Sequence, residues 1–257
     1  MPIISVTNQK GGVGKTTITY NLAKGLSARG YKVLAIDNDP QGNLTSGFFE
    51  DPTQLETNAD IIQIYNNSET QVKPEQIDEN LYLIGANIHL SKISEKDFDV
   101  IFQLKEGLNM IKDLFDFILI DCLPSFGYLH MAALNAADKV LIPIKPAPFA
   151  FAGLKDLFET IAKTKKRLNP DLDILGIILN LVEGKQTTMG GELEETLREN
   201  YSQLVFESRI TKGVKLEESP SFLQSIMEYD PKGKHAQQFD KFIDEFLKRL
   251  DKSPSKM

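Results

Sequence analysis

Residues 3–17 read IISVTNQKGGVGKTT. A short apolar run leads into a glycine-rich turn, and the turn closes on Gly-Lys-Thr-Thr ahead of a segment with helical character. In that order the residues make a cradle for a nucleoside triphosphate such as ATP. Gly11, Gly12 and Gly14 let backbone N–H groups, that of Val13 among them, turn toward an anion with no Cβ in the way. A helix starting at the turn points its positive end at the same spot. Lys15 can then reach the β- and γ-phosphates, and the Thr16 hydroxyl can ligate Mg2+. The turn departs from G-x-x-x-x-G-K-[ST] at its first position, which Gln9 occupies. A second lysine, Lys10, stands just ahead of the paired glycines. One triphosphate tail does not need both lysines, which suggests that Lys10 serves a nucleotide bound to a partner subunit.

Other groups can join this chemistry. Asp37 and Asp39 are separated by one residue in IDNDPQGN. With phosphates over the first strand, one carboxylate can approach Mg2+ and the other can orient an attacking water. Phosphoryl transfer to water needs positioning and charge stabilisation more than a strong base. Taken alone, the same run reads as a solvated turn. Asp121 ends the apolar run FILID and can hold the Mg2+ hydration shell opposite Thr16. Asn180 closes ILGIILN; its amide suits an adenine edge, and equally suits a strand end satisfying nearby backbone. Lys145 follows KVLIPI and reads as a surface lysine. The three histidines are scattered and show no metal spacing.

These residues need a frame. Apolar runs at 3–7, 32–37, 81–84, 117–121, 139–144 and 174–181 alternate with helical patterns at 17–28, 98–112, 128–137, 151–168 and 192–200. Near-continuous apolar strands fit a parallel sheet buried on both faces. The alternation predicts an α/β fold, a doubly wound, mostly parallel sheet flanked by helices. Ligands of such sheets bind beyond the carboxyl ends of the strands, where each group named above falls. One domain is expected over 1–250, with a polar tail at 251–257.

The chain has 257 residues, 25% charged and 41% hydrophobic, enough for a sizeable core. No apolar run approaches the ~20 residues of a membrane span, and the strand at residue 3 leaves no room for a signal peptide. A lone cysteine, Cys122, excludes an intrachain disulfide and a thiolate cluster held by one chain, so a cytoplasmic protein is expected. The net charge of −7 argues against nucleic-acid binding through the average field. Residues 208–257, however, hold ten Lys/Arg against eight Asp/Glu, so any such contact would be a local patch there.

The stretches KGGVGKTT, KVLAIDNDPQGN, FDFILID, VKLEESPS and EYDPKGK together resemble the ParA/Soj partition ATPases, within the wider MinD-type deviant Walker group. The resemblance runs nearly end to end. It implies an ATP-sandwich homodimer in which Lys10 crosses to the phosphates of the other subunit and Gly12 lies where two backbones come close. It also implies phosphate and Mg2+ contacts from Lys15, Thr16 and Thr17, water positioning by Asp39 and a Mg2+-linked role for Asp121. Partners implied are non-specific DNA and a ParB-like activator, with plasmid, chromosome or protein cargo. The candidate DNA contacts are Arg209, Lys212, Lys215, Lys232 and Lys234. Departures are Cys122-Leu123 for the usual Thr-Pro and Ser208 for a proline. The phosphate loop opens the chain, so no preceding helix-turn-helix, and no operator-specific repression, is expected. A MinD-like membrane reading would use the stripe Phe239, Phe242, Ile243, Phe246, Leu247 and Leu250, which reads better as a helix docked on the core. A metabolic enzyme using the same cradle, such as an ATP-dependent ligase, is a further alternative.

Overall fold

The computed structural model describes residues 1–67, 69, 72–147, 150–183 and 188–251. Its eight strands are β1 (Ile3–Val6), β2 (Val33–Asn38), β3 (Glu75–Asp78), β4 (Leu81–Ile84), β5 (Phe117–Cys122), β6 (Lys139–Ile144), β7 (Asp173–Val182) and β8 (Val205–Thr211). They form one sheet in the order β3-β4-β2-β5-β1-β6-β7-β8. Among the described residues only the β3–β4 pair is antiparallel. The helices are α1 (Lys15–Ala28), α2 (Asn43–Ser46), α3 (Ile62–Asn66), α4 (Val100–Asn109), α5 (Tyr128–Ala136), α6 (Ala150–Arg167), α7 (Thr188–Tyr201), α8 (Val214–Glu218), α9 (Ile226–Tyr229) and α10 (Lys234–Asp251). The last six residues of the expected polar tail, 252–257, lie outside the described residues.

The central strands β1, β2, β5, β6 and β7 are apolar along most of their length because both faces are covered. Val33, Ala35, Phe117 and Leu119 pack with Ile18, Leu22 and Leu26 of α1 and with Phe239, Phe242 and Phe246 of α10. The alternate residues Leu34, Ile36, Ile118 and Ile120 pack with Leu104 and Leu108 of α4 and with Ala132 and Ala133 of α5. The α10 stripe is therefore core. Phe239, Phe242, Ile243 and Phe246 are fully buried, with Leu247 and Leu250 packed beside them. Among the described residues no helix is long and apolar enough to cross a membrane.

The structure adds strands that periodicity does not reveal. The edge strand β3 alternates half-buried and exposed residues, and β8 carries Glu207, Ser208 and Arg209 at its centre. The open side of β8 is closed by side chains. Glu245 of α10 accepts from the backbone N–H of Glu207 and of Ser208, each at 2.9 Å, and Gln238 accepts from that of Thr211 at 3.0 Å. Such capping keeps an edge strand from pairing with another chain. The segment 41–57, whose Gly, Asn and Thr content reads as loop, contains α2 and a 3-10 turn at Pro52–Gln54.

Candidate functional site

β1 ends at Val6, and the chain turns over the carboxyl edge of the sheet before entering α1. Helix α1 starts at Lys15, two residues earlier than the sequence predicts, so Lys15 and Thr16 belong to its first turn. Gly12 and Gly14 take φ of 69° and 84°, the left-handed region that favours glycine. Gly14 is the N-cap and offers no side chain to the helix, so the first N–H groups of α1 have no capping side chain. These donors and the α1 dipole make an anion site.

Behind the loop, the sheet register sets Val6 beside Asp121, and Asp121 beside Asp37. The Thr16 hydroxyl donates to Asp121 Oδ2 at 2.7 Å, and Thr19 donates to Oδ1 at 3.3 Å. Burial, then the neighbouring Asp37, push the Asp121 carboxyl up to about 8, against the pull of Thr16 and Lys15. Burial likewise raises Asp37 to about 6. The Lys15 amine donates to the Lys10 carbonyl at 3.3 Å, and burial lowers its pKa against the attraction of Asp121. Lysine, hydroxyl and carboxylate thus meet at one helix end. Among the described residues no three His, Cys, Asp or Glu side chains gather as a metal centre. The oxygen donors of Thr16 and Asp121 suit Mg2+, a hard cation that takes its remaining ligands from phosphate and water.

Asn180 is fully buried beneath the loop, not on its rim. Its Nδ2 donates to the Val13 carbonyl at 2.8 Å, whereas its Oδ1 is buried without a partner among the described residues. The donor half of the expected adenine contact is therefore engaged with the loop, and only the acceptor remains. Lys10, Gly11 and Gly12 are exposed. A Cβ on Gly11 or Gly12 would meet nothing within 4 Å. Asp39 is half-buried at the end of β2 and accepts from Gln41 N at 2.9 Å. Lys145 is half-buried just past β6.

The five basic candidates gather near the carboxyl end of β8 and the start of α10, but they are not equivalent. Arg209 pairs with Glu194 at 3.1 Å and Lys215 with Asp230 at 2.9 Å, so both are already partly neutralised. Lys212, Lys232 and Lys234 are exposed and form no ion pair among the described residues. The sequence assigns two further buried groups no role at the loop. The Cys122 thiol is pushed up to about 12 by burial and touches Ser5 Oγ at 3.1 Å. His130 of α5 meets Thr7 Oγ1 at 2.9 Å beneath the loop, and burial lowers it to about 4.

A doubly wound parallel sheet, with a left-handed glycine turn feeding Lys15 and Thr16 toward a strand-end aspartate, defines a P-loop nucleotide-binding protein. Residues 1–174 match the family described as an AAA domain. The chain is 36% identical to the sporulation initiation inhibitor protein Soj of Bacillus subtilis, over 91% of this chain and 94% of that protein. It is 35% identical to the chromosome partitioning protein ParA of Myxococcus xanthus, over 98% and 90% respectively. A crystal structure of cobyrinic acid a,c-diamide synthase from Mycobacterium smegmatis, with bound ATP analog and magnesium, superposes with a TM-score of 0.82 at 29% identity, covering 100% of this chain and 98% of that one. The chain belongs to the ParA/Soj-type partition ATPases.

Proposed function

We propose that this protein is an ATP- and Mg2+-dependent ATPase that dimerises around nucleotide, grips DNA without sequence preference and positions a plasmid, chromosome or protein cargo. The observation that carries the reading is the meeting of Lys15, Thr16 and Asp121 at the N-terminus of α1. The backbone of 11–17 and the Lys15 ammonium would cradle the phosphates. Thr16 and Asp121 would hold Mg2+, which neutralises charge on the phosphate oxygens when bound. Asp39 would orient the hydrolytic water. The open surroundings of Gly11 and Gly12 leave room for a second copy, whose Lys10 would reach across. Two copies joined in one body double the basic patch and raise its effective concentration on DNA. A ParB-like adaptor would trigger hydrolysis and release, at or near the nucleoid in the cytoplasm.

The test is DNA retention at moderate salt. A slowly hydrolysed ATP analogue should hold the protein on DNA of any sequence, and ADP should not. Equal retention with both nucleotides overturns the switch. The diamide synthase name of the structural neighbour favours a second reading, a small-molecule enzyme using the same cradle. ATP turnover indifferent to DNA, yet driven by a small carboxylate and an amine donor, would select it.

A further inference from the structure

The two carboxylates at the end of β2 have different fates. Asp37 is fully buried. Its Oδ2 accepts from the Thr45 backbone N–H and from the Thr45 hydroxyl, each at 2.8 Å, and its Oδ1 accepts from Asp39 N at 3.2 Å. The Thr45 oxygen in turn accepts from Ala86 N at 2.9 Å, just beyond β4. The span from Asp39 to Thr45 is drawn tight against the same strand end. Gly42 N donates to Asp39 O at 2.9 Å, Gly42 sits at φ 64°, and a Cβ there would lie 2.9 Å from the Ala86 carbonyl. Asp39 itself is held by its backbone and by the contact with Gln41 N, so the position of its carboxylate follows the loop.

We propose that Asp37 and Thr45 form a latch that sets where the Asp39 carboxylate stands, and thereby the rate of the hydrolytic step, without touching the nucleotide. The assignment rests on the ATPase reading of Asp39. One carboxylate ties the loop to its own strand, and one hydroxyl ties it to the end of the neighbouring strand. Replacing that hydroxyl by a methyl leaves the buried Ala86 N–H without a partner and Asp37 Oδ2 with the Thr45 backbone N–H alone, and the loop then shifts to recover the lost bonds. Misplacing a water-orienting group by about 1 Å slows a reaction by up to about 100-fold. Ground-state binding through Lys15 and the glycine turn does not depend on this loop. Asp37 and Thr45 are positioning residues in this account, and their loss should separate turnover from affinity.

Thr45→Val and Thr45→Ser, measured for ATP turnover, for affinity of a slowly hydrolysed ATP analogue and for melting temperature, make the test. Thr45→Val should lower kcat by about 10- to 100-fold with analogue affinity within about threefold of wild type, and Thr45→Ser, which keeps the hydroxyl, should recover turnover. If Thr45→Val does not fold, the isosteric Asp37→Asn replaces it with the same expected split. Wild-type kcat in a folded variant overturns the latch, as does a loss of affinity in step with kcat. A wild-type protein that hydrolyses no ATP, alone or with DNA, overturns the ATPase reading and this assignment together.

Discussion

A lysine ammonium held out of water beside the buried Asp121 carboxylate and a glycine turn is poised for an incoming polyanion. Burial disfavours the charge on Lys15 and Asp121 alike, and a phosphate tail with its Mg2+ would relieve both. Lys15→Ala should therefore abolish ATP binding, as read by fluorescent-nucleotide titration; unchanged affinity would remove the phosphate-loop assignment. Asp39→Ala should cut steady-state hydrolysis at least tenfold and leave binding intact, because water positioning acts on the chemical step. His130 tests a different property. Its folded pKa of about 4 lies below the ordinary value of 6.5, so the unfolded chain binds the extra proton. The stability that neutral His130 contributes is complete above pH 6.5 and is lost as pH falls toward 4, by about 3 kcal/mol. Asp37 and Asp121 have raised folded values and act with the opposite sign. The measurement is thus the difference in urea stability between wild type and His130→Gln across this window. Parallel pH profiles would show that the imidazole is not the titrating group.

At the scale of elements, β1 and α1 act as one unit with the turn between them, and Asn180 of β7 braces that turn from below. A Cβ on Gly14 would lie 2.2 Å from Asn180 Nδ2 and would also demand a left-handed residue. Gly14→Ala should lower nucleotide affinity by more than tenfold, as read by the same titration, while far-UV circular dichroism stays native; wild-type affinity would show the turn tolerates the shift. The turn and the strands around it are legible in sequence because glycine spacing and two-faced burial leave plain patterns. The runs at 117–121 and 139–144 are apolar at nearly every position, and they sit centrally in the sheet. Strands β3 and β8 were not legible, because an edge strand is partly solvated and its polar residues break the alternation. The loop at 41–57 reads as Gly- and Asn-rich, yet it hides α2 and the Asp37–Thr45 contact, a pairing eight residues apart that only the fold brings together. Asn180 is legible as a strand-end amide, but not which of its atoms the loop would engage.

Over the whole molecule, the proposed reading has a protein of net charge −7 grip DNA through basic residues on two joined copies. Lys212, Lys232 and Lys234 sit at one end of the sheet, while Arg209 and Lys215 answer to Glu194 and Asp230. Each lysine brought against a phosphate adds about 0.9 to the salt slope of binding to duplex DNA, so a dimer doubles the slope of one chain. Lys232→Glu with Lys234→Glu should abolish ATP-dependent DNA retention in the shift assay and leave ATP-driven association unchanged. Retention equal to wild type would move the DNA surface elsewhere. In the proposed reading association depends on Lys10, the lysine ahead of the paired glycines that the sequence singles out. The direct measurement is the mass in solution, by light scattering at tens of micromolar, of Asp39→Ala protein loaded with ATP and Mg2+. A shift from one chain to two that vanishes with ADP, and again when Lys10→Ala is added, is the predicted result. A one-chain mass in ATP at that concentration, or a dimer indifferent to Lys10, would contradict it.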